Sequence, residues 1–271
     1  MINRRLKVLQ YTWRNRSLGG SFSHWALNCF SPKCGWLAQQ AIAKTAQDEK
    51  FWQFQLKGFD GILYYSRGLP LQSLYQTITE QAYNWQWHYY QIPQTTVTAA
   101  DVVFDCGAAE GIFSFLVRSQ AKHIYSFEPL PDYLPALAKT FGSDANVSIV
   151  PQALGNRTGT AYLQPAGVCS MISQQDTGLA IAMDTIDHFC TTHQTPINYL
   201  KADLEGYELN LLAGAKEAIW QFRPKIAITT YHQGSHAQDI RQFLQGIHPS
   251  YNILVKGIEE RQGAPVMLHA W

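Results

Sequence analysis

Residues 102–111 read VVFDCGAAEG. An apolar run ends at Asp105 and passes into a loop of small residues with glycines at Gly107 and Gly111. This pattern is typical of the first strand of an open parallel sheet and the turn after it, and such sheets bind ligands beyond the carboxyl ends of their strands. Glycine lets the backbone pass close to a ligand and lets the next helix start against the sheet. The stretch therefore predicts the ligand crevice of an α/β fold.

The spacing within this loop argues against a ligand with phosphate groups. A dinucleotide site would read GxGxxG directly after the strand, whereas this loop reads GAAEG. Glu110 lies where the helix starts, and its carboxylate would repel a diphosphate. A phosphate-binding loop of the GK[ST] type is also absent from the sequence. The crevice is therefore predicted to take a ligand with hydroxyls and an amine.

Apolar runs of strand length alternate with helical patterns from residue 101 onward. The predicted strands are 102–105, 123–128, 147–154, 197–203 and 225–232. The predicted helices are 111–120, 131–141, 208–222 and 236–247. Crossovers of this length imply a parallel sheet with helices on both faces. Two closing strands, 251–257 and 264–271, are close enough to pair antiparallel, and residues 159–178 are predicted to form a hairpin-and-loop insertion.

Residues 1–97 are aromatic-rich and irregular in period, which predicts an N-terminal extension before a main domain at 98–271. We expect helices near 36–57 and 71–84 in this extension. Its first 47 residues carry no acidic side chain and seven basic ones, which are Arg4, Arg5, Lys7, Arg14, Arg16, Lys33 and Lys44. Three interpretations stay open: a cap packed on the main domain, an acceptor-binding element, or a segment in peripheral contact with an anionic membrane surface or polyanion.

The composition excludes several classes of protein. The 271 residues are 46% hydrophobic and 15% charged, which excludes a mostly disordered chain, and the net charge of +1 gives no indication of a nucleic-acid partner. No continuous apolar run reaches about 20 residues. Without the apolar core of a signal peptide, the chain is predicted to be cytoplasmic. An odd cysteine count without a CxxC pair predicts reduced, structural thiols at Cys29, Cys34, Cys106, Cys169 and Cys190.

Two further strand ends carry acidic residues. Glu128 ends the second strand, 23 residues after Asp105, where a carboxylate can accept hydrogen bonds from both hydroxyls of a ribose. NAD sites use an acid at the same place, but the missing third glycine and the acid before the loop favour S-adenosylmethionine. Asp203, Glu205 and Glu208 follow the strand 197–203, and such a cluster is typical of a site that orients an amine, binds a cation or takes a proton. For Glu208 we favour an ordinary acid in the first turn of a helix.

Five segments together resemble the FkbM-type methyltransferase family over residues 95–271. They contain FEP followed by a helix, the QALGN turn, the T-I-D element at 185–187 and KADLEGYE. The resemblance implies a class I, Rossmann-like fold with a mostly parallel seven-stranded sheet whose last strand is antiparallel, and S-adenosylmethionine as cofactor. It also implies a cofactor pocket lined by Asp105, Gly107, Ala108, Gly111, Glu128, Pro129 and Gln152, with Asp203 beside the sulfonium. The family often has Asn where this chain has Ala109.

The family's commonest chemistry implies O-methylation of a small-molecule or glycan acceptor, such as a sugar, glycolipid or secondary metabolite. His232 and Asp203 are the predicted catalytic residues, with His232 as general base. No metal is expected, and the alternative is Mg²⁺ or Mn²⁺ held by Asp203, Glu205 and His232. His236 is expected near a helix start and exposed to solvent. Alternative functions are an N-methyltransferase, a non-catalytic binding protein and a nicotinamide-dependent oxidoreductase.

Aromatic residues just before the main domain offer a second element of the site. Trp87, Tyr89 and Tyr90 either wall the acceptor pocket, where they would stack on a sugar or ring, or form a structural aromatic cluster. The sequence does not distinguish these two roles.

Overall fold

The computed structural model describes residues 22–164, 171–173, 178–259 and 263–271, together with positions 6, 9, 10 and 13. Its helices are α1 (Phe22–Cys29), α2 (Cys34–Ala41), α3 (Leu71–Ala82), α4 (Ile112–Val117), α5 (Leu134–Phe141), α6 (Ile186–His193), α7 (Glu208–Ala213), α8 (Lys216–Phe222) and α9 (His236–Ile247). Its strands are β1 (Ile42–Gln47), β2 (Phe51–Leu56), β3 (Leu63–Ser66), β4 (Val102–Cys106), β5 (His123–Phe127), β6 (Val147–Val150), β7 (Ala153–Leu154), β8 (Gly159–Gln164), β9 (Met171–Ser173), β10 (Leu179–Asp184), β11 (Tyr199–Ala202), β12 (Lys225–Thr229), β13 (Ile253–Ile258) and β14 (Pro265–Ala270).

A seven-stranded sheet forms the centre of the described part of the chain, in the order β13-β14-β12-β11-β4-β5-β6. The five neighbouring strands β12, β11, β4, β5 and β6 are parallel, and β14 runs antiparallel to both β12 and β13. The predicted mostly parallel sheet with an antiparallel last strand is confirmed. Because β4 and β11 are central neighbours, the loops after them open at the same edge of the sheet.

Side chains of β4 alternate between two apolar layers, as a strand covered on both faces requires. Phe104 packs with Phe189 of α6 on one face, in a core that also contains residues of α7, α8 and α9. Val103 packs on the other face with Phe113 of α4 and with Tyr199. The prediction of helices on both faces is therefore confirmed.

The predicted helix at 36–57 is wrong beyond its first turns, because α2 ends at Ala41. The chain turns extended at Ile42, and β1, β2 and β3 form an antiparallel sheet. In β2 the buried side chains Phe54 and Leu56 flank an exposed glutamine, which is the period of two of a half-buried strand. The helix predicted at 71–84 is confirmed by α3.

The N-terminal extension shares an apolar core with the main domain. Phe54, Leu74 and Ile78 lie in one buried cluster with Phe115 of α4 and Leu137 of α5. Burial of this kind is the main stabilising contribution to folding. The cap interpretation agrees with this packing, while the boundary at residue 97 stays a prediction.

The insertion after β6 forms a second sheet, in the order β7-β10-β8-β9. The antiparallel pairing of β8 with β9 confirms the predicted hairpin, and the predicted strand 147–154 is divided between the two sheets as β6 and β7. Within the insertion, residues 165–170 and 174–177 lie outside the described residues.

Some sequence predictions fall outside the described part of the chain. They concern five of the basic side chains and one cysteine, namely Arg4, Arg5, Lys7, Arg14, Arg16 and Cys169. Among the described cysteines, Cys106 and Cys190 are buried free thiols. In the described ranges, no helix has both the length and the apolar character that crossing a membrane requires.

Replacing Ile78 by Ala tests the shared core. Ile78 is fully buried, so we expect Ile78→Ala to lower the free energy of unfolding by about 2–5 kcal/mol in one cooperative transition. Ile62 is 41% exposed, so the matched Ile62→Ala control should change stability by less than about 1 kcal/mol. Urea unfolding followed by circular dichroism and tryptophan fluorescence measures both. A separate early transition in Ile78→Ala would contradict a shared core.

Candidate active site

A buried ion pair lies directly under the glycine loop. Lys201 Nζ is 2.9 Å from Asp105 Oδ1, and Ser114 Oγ donates to Asp105 Oδ2 at 2.6 Å. Lys201 Nζ also donates to the carbonyl of Gly107 at 2.6 Å. Burial alone would lower the pKa of Lys201, but the neighbouring carboxylates of Asp105 and Asp203 together outweigh this and raise it. Asp105 is thus held from below the loop, and a direct contact between Asp105 and a cofactor stays a prediction.

The backbone N–H groups of the loop point inward. The N–H groups of Gly107 and Ala108 donate to the carbonyl of Phe127, and that of Gly111 donates to Ala108. The N–H of Ala109 donates to Glu128 Oε2 at 2.8 Å. Phosphate sites bind through such N–H groups, so these four residues offer none to a phosphate.

The loop comes so close to the next strand that position 107 needs glycine. A Cβ on Gly107 would lie 2.2 Å from the backbone oxygen of Asp203, and its φ is +75°. Gly111 has the same φ, and a Cβ there would lie 2.5 Å from Leu137. Both predicted loop glycines therefore have a steric reason, and Gly107 brings the ends of β4 and β11 together.

Glu128 lies at the end of β5, at the predicted position for a ribose. Its Oε1 accepts from the N–H of Leu130 at 2.8 Å, and its Oε2 accepts from the N–H of Ala109. Burial raises the pKa of Glu128 to about 7, although both hydrogen bonds lower it. Pro129 and Gln152 are half-buried on the same side, after β5 and β6, and their cofactor contacts stay predictions.

Acidic and histidine side chains meet beyond the ends of β11 and β12. The Nδ1 of His232 is 3.1 Å from Glu208 Oε1, and its Nε2 is 3.3 Å from Glu205 Oε2. The same Nε2 is 4.0 Å from Asp203 Oδ1. Thr229 Oγ1 lies 3.1 Å from both Asp203 Oδ1 and Glu208 Oε1. We call Asp203, Glu205, Glu208 and His232 the acid–histidine cluster.

Glu208 is the first residue of α7, as predicted, but its side chain faces the interior. It is fully buried, and its Oε1 accepts from the N–H of Leu204 at 2.9 Å. Burial alone would raise the pKa of Glu208, but His232 and this N–H outweigh it and lower the pKa. The interpretation of Glu208 as an ordinary first-turn acid is correct about its position in the helix, but it misses the contact with His232.

The surroundings of the two histidines differ from the sequence predictions. Burial alone would lower the pKa of His232, but contacts with Glu205 and Glu208 outweigh it and raise the pKa to about 10. In this arrangement His232 carries a proton at neutral pH, which argues against its predicted role as general base. His236 is 1% exposed, so the prediction that it faces solvent is wrong.

Tyr90 of the extension reaches the cluster. Its hydroxyl donates to Asp203 Oδ2 at 2.7 Å, across 113 positions of sequence. Trp87 and Tyr89 instead pack beside β13, where Lys256 donates to the carbonyl of Tyr89. Of the three aromatic residues, Tyr90 therefore lies at the candidate site, whereas Trp87 and Tyr89 have a structural role.

A scan against protein-family models matches residues 105–252, more than half of the chain, to the methyltransferase FkbM domain. The chain belongs to the FkbM methyltransferase family. An FkbM methyltransferase structure from Methylobacillus flagellatus is 18% identical with a TM-score of 0.51, over 94% of this chain and 63% of that one. This likeness supports the class I methyltransferase fold, although the chain spans less than two thirds of that relative.

Two other solved structures are more distant. The fibrillarin of Aeropyrum pernix, with natively bound S-adenosyl-L-methionine, is 12% identical with a TM-score of 0.42, over 85% of this chain and 99% of that one. An rRNA methylase from Streptococcus thermophilus is 11% identical with a TM-score of 0.43, over 64% of this chain and 87% of that one. Among curated protein sequences, the chain has no match.

The segment matched to the FkbM domain contains the glycine loop, Glu128 and the whole acid–histidine cluster. Tyr90 lies outside it, so part of the candidate site comes from the N-terminal extension. Ala109 has a φ of +46°, a region that Asn tolerates better than other non-glycine residues, so alanine is strained at this position.

Replacing Gly107 by Ala tests the close approach of the FkbM loop to Asp203. We expect a loss of roughly 2–5 kcal/mol in the free energy of unfolding, because the left-handed backbone and the clash with the Asp203 carbonyl both disfavour a Cβ. Gly58 also has a positive φ of 80°, but a Cβ added there would meet nothing within 4 Å, so Gly58→Ala should cost only about 1–2 kcal/mol. Urea unfolding compares the two variants. Equal losses would contradict the steric role of Gly107.

Proposed function

We propose that this chain is an S-adenosylmethionine-dependent methyltransferase that methylates a hydroxyl oxygen of a sugar, glycolipid or secondary metabolite. The observation that carries the proposal is the carboxylate of Glu128, which is buried at a strand end beside a loop whose N–H groups are already used. This arrangement suits the two hydroxyls of a ribose and gives a diphosphate no donors. Family membership supports the reaction type.

The proposed cofactor lies along the edge formed by the ends of β4, β5 and β11. Glu128 accepts hydrogen bonds from the ribose, and Gly107 lets the loop lie against the backbone of Asp203 beside the ligand. Gln152 lies beside the adenine, and Asp203 lies beside the sulfonium, where a carboxylate favours the positive charge. Ala108, Gly111 and Pro129 shape the pocket between these contacts.

The acceptor is proposed to lie at the acid–histidine cluster, on the far side of the methyl group. Methyl transfer is a direct displacement, so the acceptor oxygen must be aligned behind the methyl carbon, and alignment contributes a large part of the catalysis. Asp203 and Glu205 are partly exposed and can accept a hydrogen bond from an acceptor hydroxyl. Tyr90 and Thr229 donate to the two oxygens of Asp203, and His232 lies 4.0 Å from it, so we propose Asp203 and His232 as the residues that orient the acceptor.

Calorimetry with S-adenosylmethionine, S-adenosylhomocysteine and NAD tests the cofactor. We expect binding of the first two and none of NAD. Binding of NAD alone would favour an oxidoreductase, and the absence of any binding would remove the enzymatic interpretation. Mass spectrometry of products from a panel of sugars and glycolipids then locates the transferred methyl, and a methyl group on nitrogen would contradict O-methylation.

The Glu128→Gln variant tests the ribose contact. We expect it to weaken binding of S-adenosylhomocysteine by at least about tenfold, because the charged acceptor of two hydrogen bonds is lost. Glu110→Gln is the matched control, since Glu110 is a second buried carboxylate of the same loop and its side chain accepts a hydrogen bond from Thr77 of α3. The control should bind as the wild type does. Equal weakening in both variants would assign the effect to loop structure.

The pH dependence of binding follows from the raised pKa of Glu128. Ribose hydroxyls donate to the ionised form, so affinity should rise with pH through about 7. Between pH 6 and 8 the ionised fraction increases about tenfold, and the affinity should follow it. The probe is 5′-methylthioadenosine, which keeps the ribose and lacks a titrating amino group. An affinity that is constant with pH, or a pH effect that persists in Glu128→Gln, would contradict this assignment.

A further inference from the structure

The acid–histidine cluster has the composition and the spacing of a metal site. The Asp203, Glu208 and His232 side chains each offer one ligand atom, and these atoms lie within 4.8 Å of one another. We propose that Asp203, Glu208 and His232 bind one divalent transition-metal cation, which holds and polarises the acceptor hydroxyl. This proposal rests on the proposed function for the nature of the acceptor, but the binding of the metal can be tested without it.

The distances fit ligands that share one cation. Zinc and similar ions hold nitrogen and oxygen ligands at about 2.0–2.2 Å, so neighbouring ligand atoms lie roughly 3.0–3.6 Å apart. The distance from His232 Nδ1 to Glu208 Oε1, 3.1 Å, falls in this range, whereas the 4.0 Å distance to Asp203 Oδ1 is measured from the opposite ring nitrogen, Nε2. One cation binds through only one of these nitrogens, so Asp203 or Glu208 has to move closer to it; one ligand atom from each of the three residues lies within 4.8 Å of the others. Asp203 is 26% exposed, and its movement toward the cation would lengthen its hydrogen bonds with Tyr90 and Thr229.

Buried atoms without hydrogen-bond partners give independent support. In the described part of the chain, Glu208 Oε2 and both ring nitrogens of His232 have no aligned hydrogen bond, although these side chains are 0% and 10% exposed. The nitrogens of His236, at 1% exposure, have none either, and its Nδ1 is 3.6 Å from Glu208 Oε2. Buried polar atoms without partners are costly. A cation bound to one ring nitrogen of His232 and to a carboxylate oxygen of Glu208 would satisfy part of this set.

The local charge also favours a cation. Three carboxylates surround one imidazole, and like charges at this distance repel one another. Lys201 is directed elsewhere, since its ammonium bonds to Asp105 and to the carbonyl of Gly107. A divalent cation that replaces the proton of His232 would offset most of the negative charge of the three carboxylates.

The donor set indicates the class of metal. Imidazole suits zinc, iron and nickel, whereas carboxylates suit magnesium and manganese, so a mixed set of two oxygens and one nitrogen favours manganese, iron or zinc over magnesium. Three protein ligands leave a position open for the acceptor hydroxyl, and coordination lowers the pKa of such a hydroxyl. In the reaction, the acceptor oxygen forms the new O–C bond while the C–S bond breaks and S-adenosylhomocysteine leaves. The hydroxyl proton passes to the partly exposed Glu205.

Titration of the chelator-treated full chain with Mn²⁺, followed by electron paramagnetic resonance, tests the site. We expect one bound Mn²⁺ per chain and a nitrogen coupling from His232 in the echo-modulation spectrum. His232→Gln and Asp203→Asn should each weaken binding by at least about tenfold. Glu208→Gln should also weaken Mn²⁺ binding by at least about tenfold, provided that circular dichroism shows a native fold. If this variant does not fold, His232→Gln and Asp203→Asn still decide the test.

The matched control breaks another carboxylate–histidine pair. His188 Nδ1 is 2.8 Å from Asp184 Oδ1 outside the cluster, so His188→Gln should bind Mn²⁺ as the wild type does. No binding at about 1 mM Mn²⁺, or unchanged binding in both His232→Gln and Asp203→Asn, would overturn the metal site. Calorimetry with S-adenosylhomocysteine on the chelated protein separates the two proposals. Cofactor binding without Mn²⁺ binding would leave the proposed function standing and remove the metal.

Discussion

The buried contact between Lys201 and Asp105 is the constraint on which the site depends. It joins neighbouring strands β11 and β4, takes a hydroxyl from α4 through Ser114, and fixes the loop through the carbonyl of Gly107. Buried ion pairs contribute little net stability, because desolvation offsets much of their attraction. The pair instead fixes the position of the loop. Lys201 holds the carbonyl of Gly107, and the N–H groups of the loop face the protein interior.

The two halves of the crevice differ in how many buried polar atoms lack an aligned hydrogen bond, and among the described residues the side of β4 and β5 has two such atoms, Asp105 Oδ1 and Ser126 Oγ. On the side of β4 and β5, the loop N–H groups and both oxygens of Glu128 already have partners. On the side of β11 and β12, charged and polar atoms are concentrated beyond what their neighbours satisfy. A hydrogen-bonded network is rigid, whereas polar atoms without partners are available to a ligand. The division agrees with a cofactor on one side and an acceptor on the other.

The sequence predicted the features that depend on local pattern. Strand length, helix period and the glycine spacing of VVFDCGAAEG were sufficient for the sheet, its direction and the positions of Gly107 and Glu128. The prediction from sequence is wrong where a short run fits both the helical and the strand periodicity of apolar residues. This is the case in β2, whose aromatic residues fall within the predicted helix 36–57. The sequence also offered no indication of contacts set by tertiary packing. Tyr90 meets Asp203 from a distant segment, and the burial of Glu208 and His236 follows from how α7 and α9 pack, which no local pattern encodes.

The inward-facing loop has a consequence for selectivity among adenosine compounds. ATP, NAD and S-adenosylmethionine share the same nucleoside, so a pocket that recognised only the base and sugar would be filled by any of them. In this chain the N–H groups of Gly107 and Ala108 already donate to protein and cannot donate to a phosphate. A triphosphate or pyrophosphate over these residues, next to the carboxyl of Glu110, would therefore lose its hydration water without gaining hydrogen bonds from them. The internal hydrogen bonds of the glycine loop would then limit how well ATP and NAD compete with S-adenosylmethionine for the pocket.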